Sequence, residues 1–102
     1  MFAEIVVSIG LNDKDSHVQV ISTETARKIV FDAFGDCTVQ ECKGRFTHNS
    51  GNVVYETSFR VTIYADTSML ENITEKCKDL KIKLNQESIV LSWRPVGETS
   101  FI

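Results

Sequence analysis

A chain of 102 residues is the size of one ordinary domain, and its 42% hydrophobic and 25% charged content is the balance of a soluble globular fold. A formal net charge of -3 and a pI near 5.3 argue against a general binder of nucleic acid or anionic membrane. The longest apolar run, residues 5–7, is far too short to span a bilayer, no signal-peptide pattern opens the chain, and the three cysteines Cys37, Cys42 and Cys77 make no disulfide framework. A reducing cytoplasm is the expected setting.

Residues 2–11 alternate. Ile5, Val7, Ile9 and Leu11 share one face and Glu4, Val6, Ser8 and Gly10 the other, which predicts a half-buried strand. The polar run Asn12-Asp13-Lys14-Asp15-Ser16-His17 ends it. Continued through residue 21, this connection is long for a strand–helix link, and Val18, Val20 and Ile21 offer a short extra strand inside it. Residues 23–34 read as a helix capped by Ser22 or Thr23, with Glu24 at its positive end and Gly35 as its stop. Ala26, Ile29, Val30, Ala33 and Phe34 form its apolar stripe, and Thr25, Arg27, Lys28 and Asp32 fall on the solvent side.

Residues 39–47 and 53–65 form two strands about the turn His48-Asn49-Ser50-Gly51-Asn52, with Gly44 marking a bulge. The second is the clearest strand of the chain, and its length suits a central position. Tyr55, Thr57, Phe59, Val61, Ile63 and Ala65 line its core face; Val54, Glu56, Ser58, Arg60, Thr62 and Tyr64 line the other. Residues 68–84 read as a second helix, with Asp66, Thr67 and Ser68 as cap candidates and Ser68 with Glu71 at capping-box spacing. Its stripe is Leu70, Ile73, Cys77, Leu80 and Leu84, its later turns carry Lys76, Lys78, Lys81 and Lys83, and Asn85 is its exit. Residues 88–94 form a last strand with Ile89, Leu91 and Trp93 on one face and Val90, Ser92 and Arg94 on the other, ended by Pro95. The tail finishes on Phe101 and Ile102 and is expected to pack on the sheet edge or on a neighbouring subunit. Glu56-Thr57-Ser58-Phe59 recurs as Glu98-Thr99-Ser100-Phe101, which leaves open that the tail adds a strand.

The order strand, helix, strand, strand, helix, strand predicts an α+β, ferredoxin-like split βαβ sandwich. It would be a single domain over residues 1–102, with a four-stranded antiparallel sheet and two helices on one face. That fold hosts many unrelated activities, so function has to be read from side chains.

The open sheet face gathers Glu4, Ser8, Glu56, Ser58, Arg60, Thr62, Tyr64, Ser92 and Arg94. The guanidinium groups of Arg60 and Arg94 suit phosphate or carboxylate, and Tyr64 suits a base. A solvated face, or one covered by another subunit, shows the same alternation. Gln86 and Glu87 lie between the second helix and the last strand, near the end of the first strand. With Glu56 they would frame a polar pocket; the alternative is that Gln86 caps helix carbonyls and Glu87 is solvated. His17, His48, Cys37 and Cys42 lack the spacing of a metal site or of a Cys–His nucleophile, and residues 49–52 lack phosphate-loop spacing. RNA recognition would want aromatics on the open face and an Arg/Lys-Gly-aromatic strand; Tyr55 and Phe59 share the core face and the signature is absent. No catalytic residue, metal or cofactor is therefore predicted.

Ile9-Gly10-Leu11, Tyr55-Glu56-Thr57-Ser58 and Asn85-Gln86-Glu87-Ser88-Ile89 carry a resemblance. In layout and in these short motifs the chain resembles small phage and bacterial proteins of domain-of-unknown-function type. The resemblance implies the fold already argued and a phage or prophage origin, and it transfers no catalytic residues. Small phage proteins often counter host defences, so it also implies a non-enzymatic binding protein in the host cytoplasm. Such a protein would sequester a nucleotide-derived small molecule in a homo-oligomer, with Arg60, Arg94, Tyr64, Glu56, Ser58, Ser92 and Gln86 as ligand-binding residues. One alternative is a protein-interaction inhibitor of a host protein. Another is a small cofactor-free enzyme built around Glu56 or His48. An acylphosphatase is argued against by the acidic, arginine-free loop at 12–17.

Overall fold

The computed structural model describes residues 1–47 and 50–102; His48 and Asn49, which open the anticipated turn at 48–52, lie outside the described residues. Four strands form one antiparallel sheet: β1 (Phe2–Gly10), β2 (Thr38–Thr47), β3 (Val53–Asp66) and β4 (Val90–Pro95). Their order across the sheet is β2-β3-β1-β4. Helices α1 (Thr23–Phe34) and α2 (Leu70–Lys83) cover one face. This is the ferredoxin-like split βαβ arrangement, with the two most regular strands, β1 and β3, in the middle.

Side-chain alternation sets the layers. Ala3, Ile5, Val7 and Ile9 from β1 and Phe59, Val61 and Ile63 from β3 meet Ala26 and Val30 of α1 and Ile73, Cys77 and Leu80 of α2 in one core. Ser22 caps α1 by accepting the Thr25 N–H at 3.1 Å, and Gly35 ends it at φ +69°. Arg27 bridges layers: its guanidinium stands 5.5 Å over the Phe59 ring and pairs with Glu41 of β2 at 3.3 Å.

Several sequence expectations are corrected. The second helix does not open on a Ser68–Glu71 capping box: Asp66 accepts the Ser68 N–H and caps a 3-10 turn, Thr67–Met69, before α2 begins without a side-chain cap. Gly44 marks no bulge, since the β2–β3 register runs unbroken from Thr38↔Thr62 to Thr47↔Val53. Val18, Val20 and Ile21 form no strand; only an isolated bridge, Asn12↔Gln19, ties that loop. The tail adds no strand either. Its Val96 N–H donates to Phe2 O at 3.1 Å and its Phe101 ring meets Phe2 edge-on at 5.9 Å. Tyr55 has the parity of the core face but is 73% exposed, because β3 runs past the last β1 partner, Gly10↔Ser58. Trp93 is half exposed because β4 is an edge strand. No helix among the described residues is long and apolar enough to cross a membrane.

Candidate functional site

The open sheet face is hollowed where β1 ends. A cleft of about 450 Å³ lies there, within the range of small-molecule sites. Two glycines make the hollow. Gly10 has no side chain, and the Glu56 carboxylate occupies the space: a Cβ at Gly10 would meet its atoms at 2.5 to 2.7 Å. Gly44, which faces Glu56 in the β2–β3 register, leaves room in the same way for the Phe46 ring, whose nearest atom would lie 3.0 Å from a Cβ. The backbone N–H of Asn12 donates to Glu56 Oε2 at 2.8 Å and holds the carboxylate in place. Phe46, half exposed, lines the cleft with Glu56, and Val54 and Val90 add apolar wall.

The rim comes from two connections locked to each other. Residues 12–17 follow β1, and 84–88 follow α2. Asn85 leaves the helix at φ +46°, a conformation asparagine tolerates better than most residues. Its side-chain amide donates to Asp13 Oδ1 at 2.6 Å and to Asp15 Oδ2 at 2.9 Å. Lys14 N–H donates to Asn85 O at 3.0 Å. Buried Gln86 donates from Nε2 to Asn12 O at 2.8 Å and to Leu84 O at 3.1 Å, so it satisfies a carbonyl beyond the helix end and clamps the exit of β1 at once. The Asp13 carboxylate, accepting from the Asn85 amide and from the backbone N–H groups of Ser16 and Asp15, is held down at about 2.

That depression has a sign. Between roughly pH 4 and pH 2 the unfolded chain binds more protons than the native one, so stability contributed by Asp13 is present above its ordinary value and is lost as pH falls through about 2. The denaturant midpoint is expected to fall across this window. In Asp13→Asn the fall is expected to be shallower, which chemical denaturation at a series of pH values measures.

The seven residues expected at a ligand site fall into different places. Glu56, Ser58 and Gln86 line the cleft, as does Glu87. Arg94 and Tyr64 do not. They converge on Glu4 near the other end of β1: Tyr64 O–H donates to Glu4 Oε2 at 2.8 Å, and Arg94 Nε donates to Oε1 at 3.1 Å. The Tyr64 hydroxyl and the Arg94 guanidinium hold the Glu4 carboxyl below its usual range, and Glu4 in turn raises the Tyr64 phenol. From Glu4 to Gly10 is about 20 Å along a strand, so this triad is a separate cluster that ties β4, β1 and β3 together. Arg60, opposite Ser8, and Ser92, opposite Val6, lie exposed on the sheet between the two. Sequence reasoning missed Phe46, Asn12 and Lys14 as cleft residues. The signal for Phe46 was a glycine two positions earlier on the same strand face. Among the described residues no group of three or more His, Cys, Asp or Glu side chains is placed to hold a metal ion.

No family model and no curated protein matches the chain. Solved structures do. The chain is similar to a phage SAM lyase in complex with S-methyl-5'-thioadenosine, with 19% identity, TM-score 0.72, and coverage of 91% of this chain and 80% of that one. A phage SAM lyase in the apo state shares 22% identity with TM-score 0.65, covering 90% and 78%. The periplasmic divalent cation tolerance protein CutA from Archaeoglobus fulgidus shares 12% identity with TM-score 0.67, covering 98% and 88%. At such identities the likeness is one of fold.

Proposed function

We propose that this protein takes S-adenosylmethionine into the Glu56 cleft and splits it, releasing S-methyl-5'-thioadenosine. It would thereby deplete a nucleoside-derived compound in an infected cell. The observation that carries this reading is the pairing of a fixed carboxylate, Glu56, with an exposed aromatic ring, Phe46, in one small cleft. A carboxylate beside a π-face suits a cation that carries apolar substituents, which is what a sulfonium is. The similarity to the phage SAM lyase structures supports it as a fold that accommodates such a ligand.

The chemistry asks little of the protein. The Cγ–S bond breaks and sulfur leaves with the bonding pair as a neutral thioether. A carboxylate oxygen of the same ligand takes its place at Cγ and closes a five-membered lactone. Atoms and charge balance without water, metal or cofactor. What the cleft would supply is a bent ligand conformation that brings the carboxylate to Cγ.

One feature favours a second reading, in which the ligand is sequestered intact. Glu56 stabilises the sulfonium in the ground state more than in a transition state that is losing its charge. Exposed Phe46 and Val90 flank the cleft and Trp93 sits on the β4 edge, which fits a homo-oligomer with clefts near subunit borders.

A single incubation separates these readings. Purified protein is mixed with S-adenosylmethionine and analysed by mass spectrometry, with native mass measured alongside. At sub-saturating S-adenosylmethionine, release of S-methyl-5'-thioadenosine in excess of protein is expected, slowed about tenfold or more in Glu56→Gln because capture of the cation is weakened. Ligand retained intact at one per cleft would mean sequestration. If the nucleoside is neither bound nor changed, the proposal is overturned and the search turns to a host protein partner.

A further inference from the structure

We propose that Lys14 grips the carboxylate of an amino-acid-bearing ligand and makes the cleft select such a ligand over a bare nucleoside. This rests on the cleft reading above and adds the residue that sets its selectivity. The cleft is lined by three acids, Asp13, Glu56 and Glu87, and Lys14 is the only lysine or arginine among the described residues that line it. The acids differ in what they have left to offer. Asp13 is consumed by Asn85, Asp15 and Ser16, and Glu56 is held by Asn12. The Lys14 ammonium, in contrast, makes no hydrogen bond or ion pair among the described residues.

Its backbone is nevertheless fixed. Lys14 N–H is bonded to Asn85 O at 3.0 Å, and the preceding residue is anchored by the Asn85 amide and by its own N–H to Val18 O at 2.8 Å. A cation with no pair among the described residues, on an anchored loop at the rim of a cleft whose floor carries a fixed carboxylate, is a dipolar receptor. It matches a ligand with a cationic part and a carboxylate, as the amino-acid half of S-adenosylmethionine has. A lysine suits this as a point charge on a flexible stem that reaches over the rim. It also accounts for release of product. S-methyl-5'-thioadenosine carries no carboxylate, so cleavage removes the group that Lys14 holds.

Calorimetric titration with two uncleaved probes tests the assignment. S-adenosylhomocysteine keeps the amino acid and lacks the sulfonium; S-methyl-5'-thioadenosine lacks the amino acid. Wild-type protein is expected to bind the first about tenfold or more tighter than the second. Lys14→Met is expected to erase that preference and leave S-methyl-5'-thioadenosine affinity unchanged, and Lys14→Arg to restore most of it. An unchanged preference in Lys14→Met, or an equal loss for both probes, overturns the role of Lys14. If wild-type protein binds neither probe nor S-adenosylmethionine, the cleft reading itself has failed, which is a different result. Lys14 is exposed and outside the core, so a folded variant is expected, and far-UV circular dichroism checks it.

Discussion

Replacing Phe59 by alanine is expected to destabilise the fold by about 3–5 kcal/mol. Phe59 is the largest of the fully buried side chains, at 1% exposure, and it sits on the central strand β3 directly opposite Ile9 of β1. Its removal leaves a cavity between the sheet and the helices, and it also takes away the ring over which Arg27 stands. A domain of this size holds about 5–15 kcal/mol in total, so the variant loses a large fraction of its stability. Urea denaturation measures it. A loss below about 1 kcal/mol would mean that β3 is not packed against the helices as described.

Gly10→Ala is expected to do the opposite: to spare the fold and destroy the site. The new methyl meets the Glu56 carboxylate at 2.5 to 2.7 Å, and that carboxylate is the end of a flexible side chain, so it swings away at small cost to stability. In swinging away it gives up the Asn12 N–H and the position beside Phe46. On the proposed reading, ligand affinity is expected to fall about tenfold or more, because the charge-assisted contact of the part-buried Glu56 carboxylate is lost. The melting temperature is expected to move by only a few degrees. Calorimetric titration and a thermal melt on the same sample check both halves. Wild-type affinity in a folded Gly10→Ala protein would remove Glu56 from the site.

The fold was legible in the sequence because its elements have clean periods. The alternation in β1 and β3 and the 3.6-residue stripes of α1 and α2 place the core residues almost one by one. Glu56, Gln86 and Glu87 were legible as a group because strand order alone brings the α2–β4 junction to the end of β1. What remained hidden depends on contacts between distant residues. The one local sign is Gly44 itself, two positions before Phe46 on the same strand face, and a glycine inside a strand reads equally well as a bulge. Lys14 joins the cleft because Asn85, some seventy positions later, fastens its loop. Arg94 and Arg60 share a face with Glu56, but alternation says nothing about distance along a strand, and Arg94 is already spent on Glu4.

The clamp made by Gln86 and Asn85 also orders events in time. Asn12 and Gln86 are 74 positions apart, and β4 reaches β1 through pairs such as Glu4 with Arg94, 90 positions apart. Closing chains this long costs more entropy than forming the β2–β3 hairpin or the two helices, so these contacts are expected to form after those local ones. The cleft is thus expected to take shape after the β2–β3 hairpin and the two helices. A chain whose last strand has not docked is then expected to carry a helix-covered sheet with the rim of the cleft still incomplete.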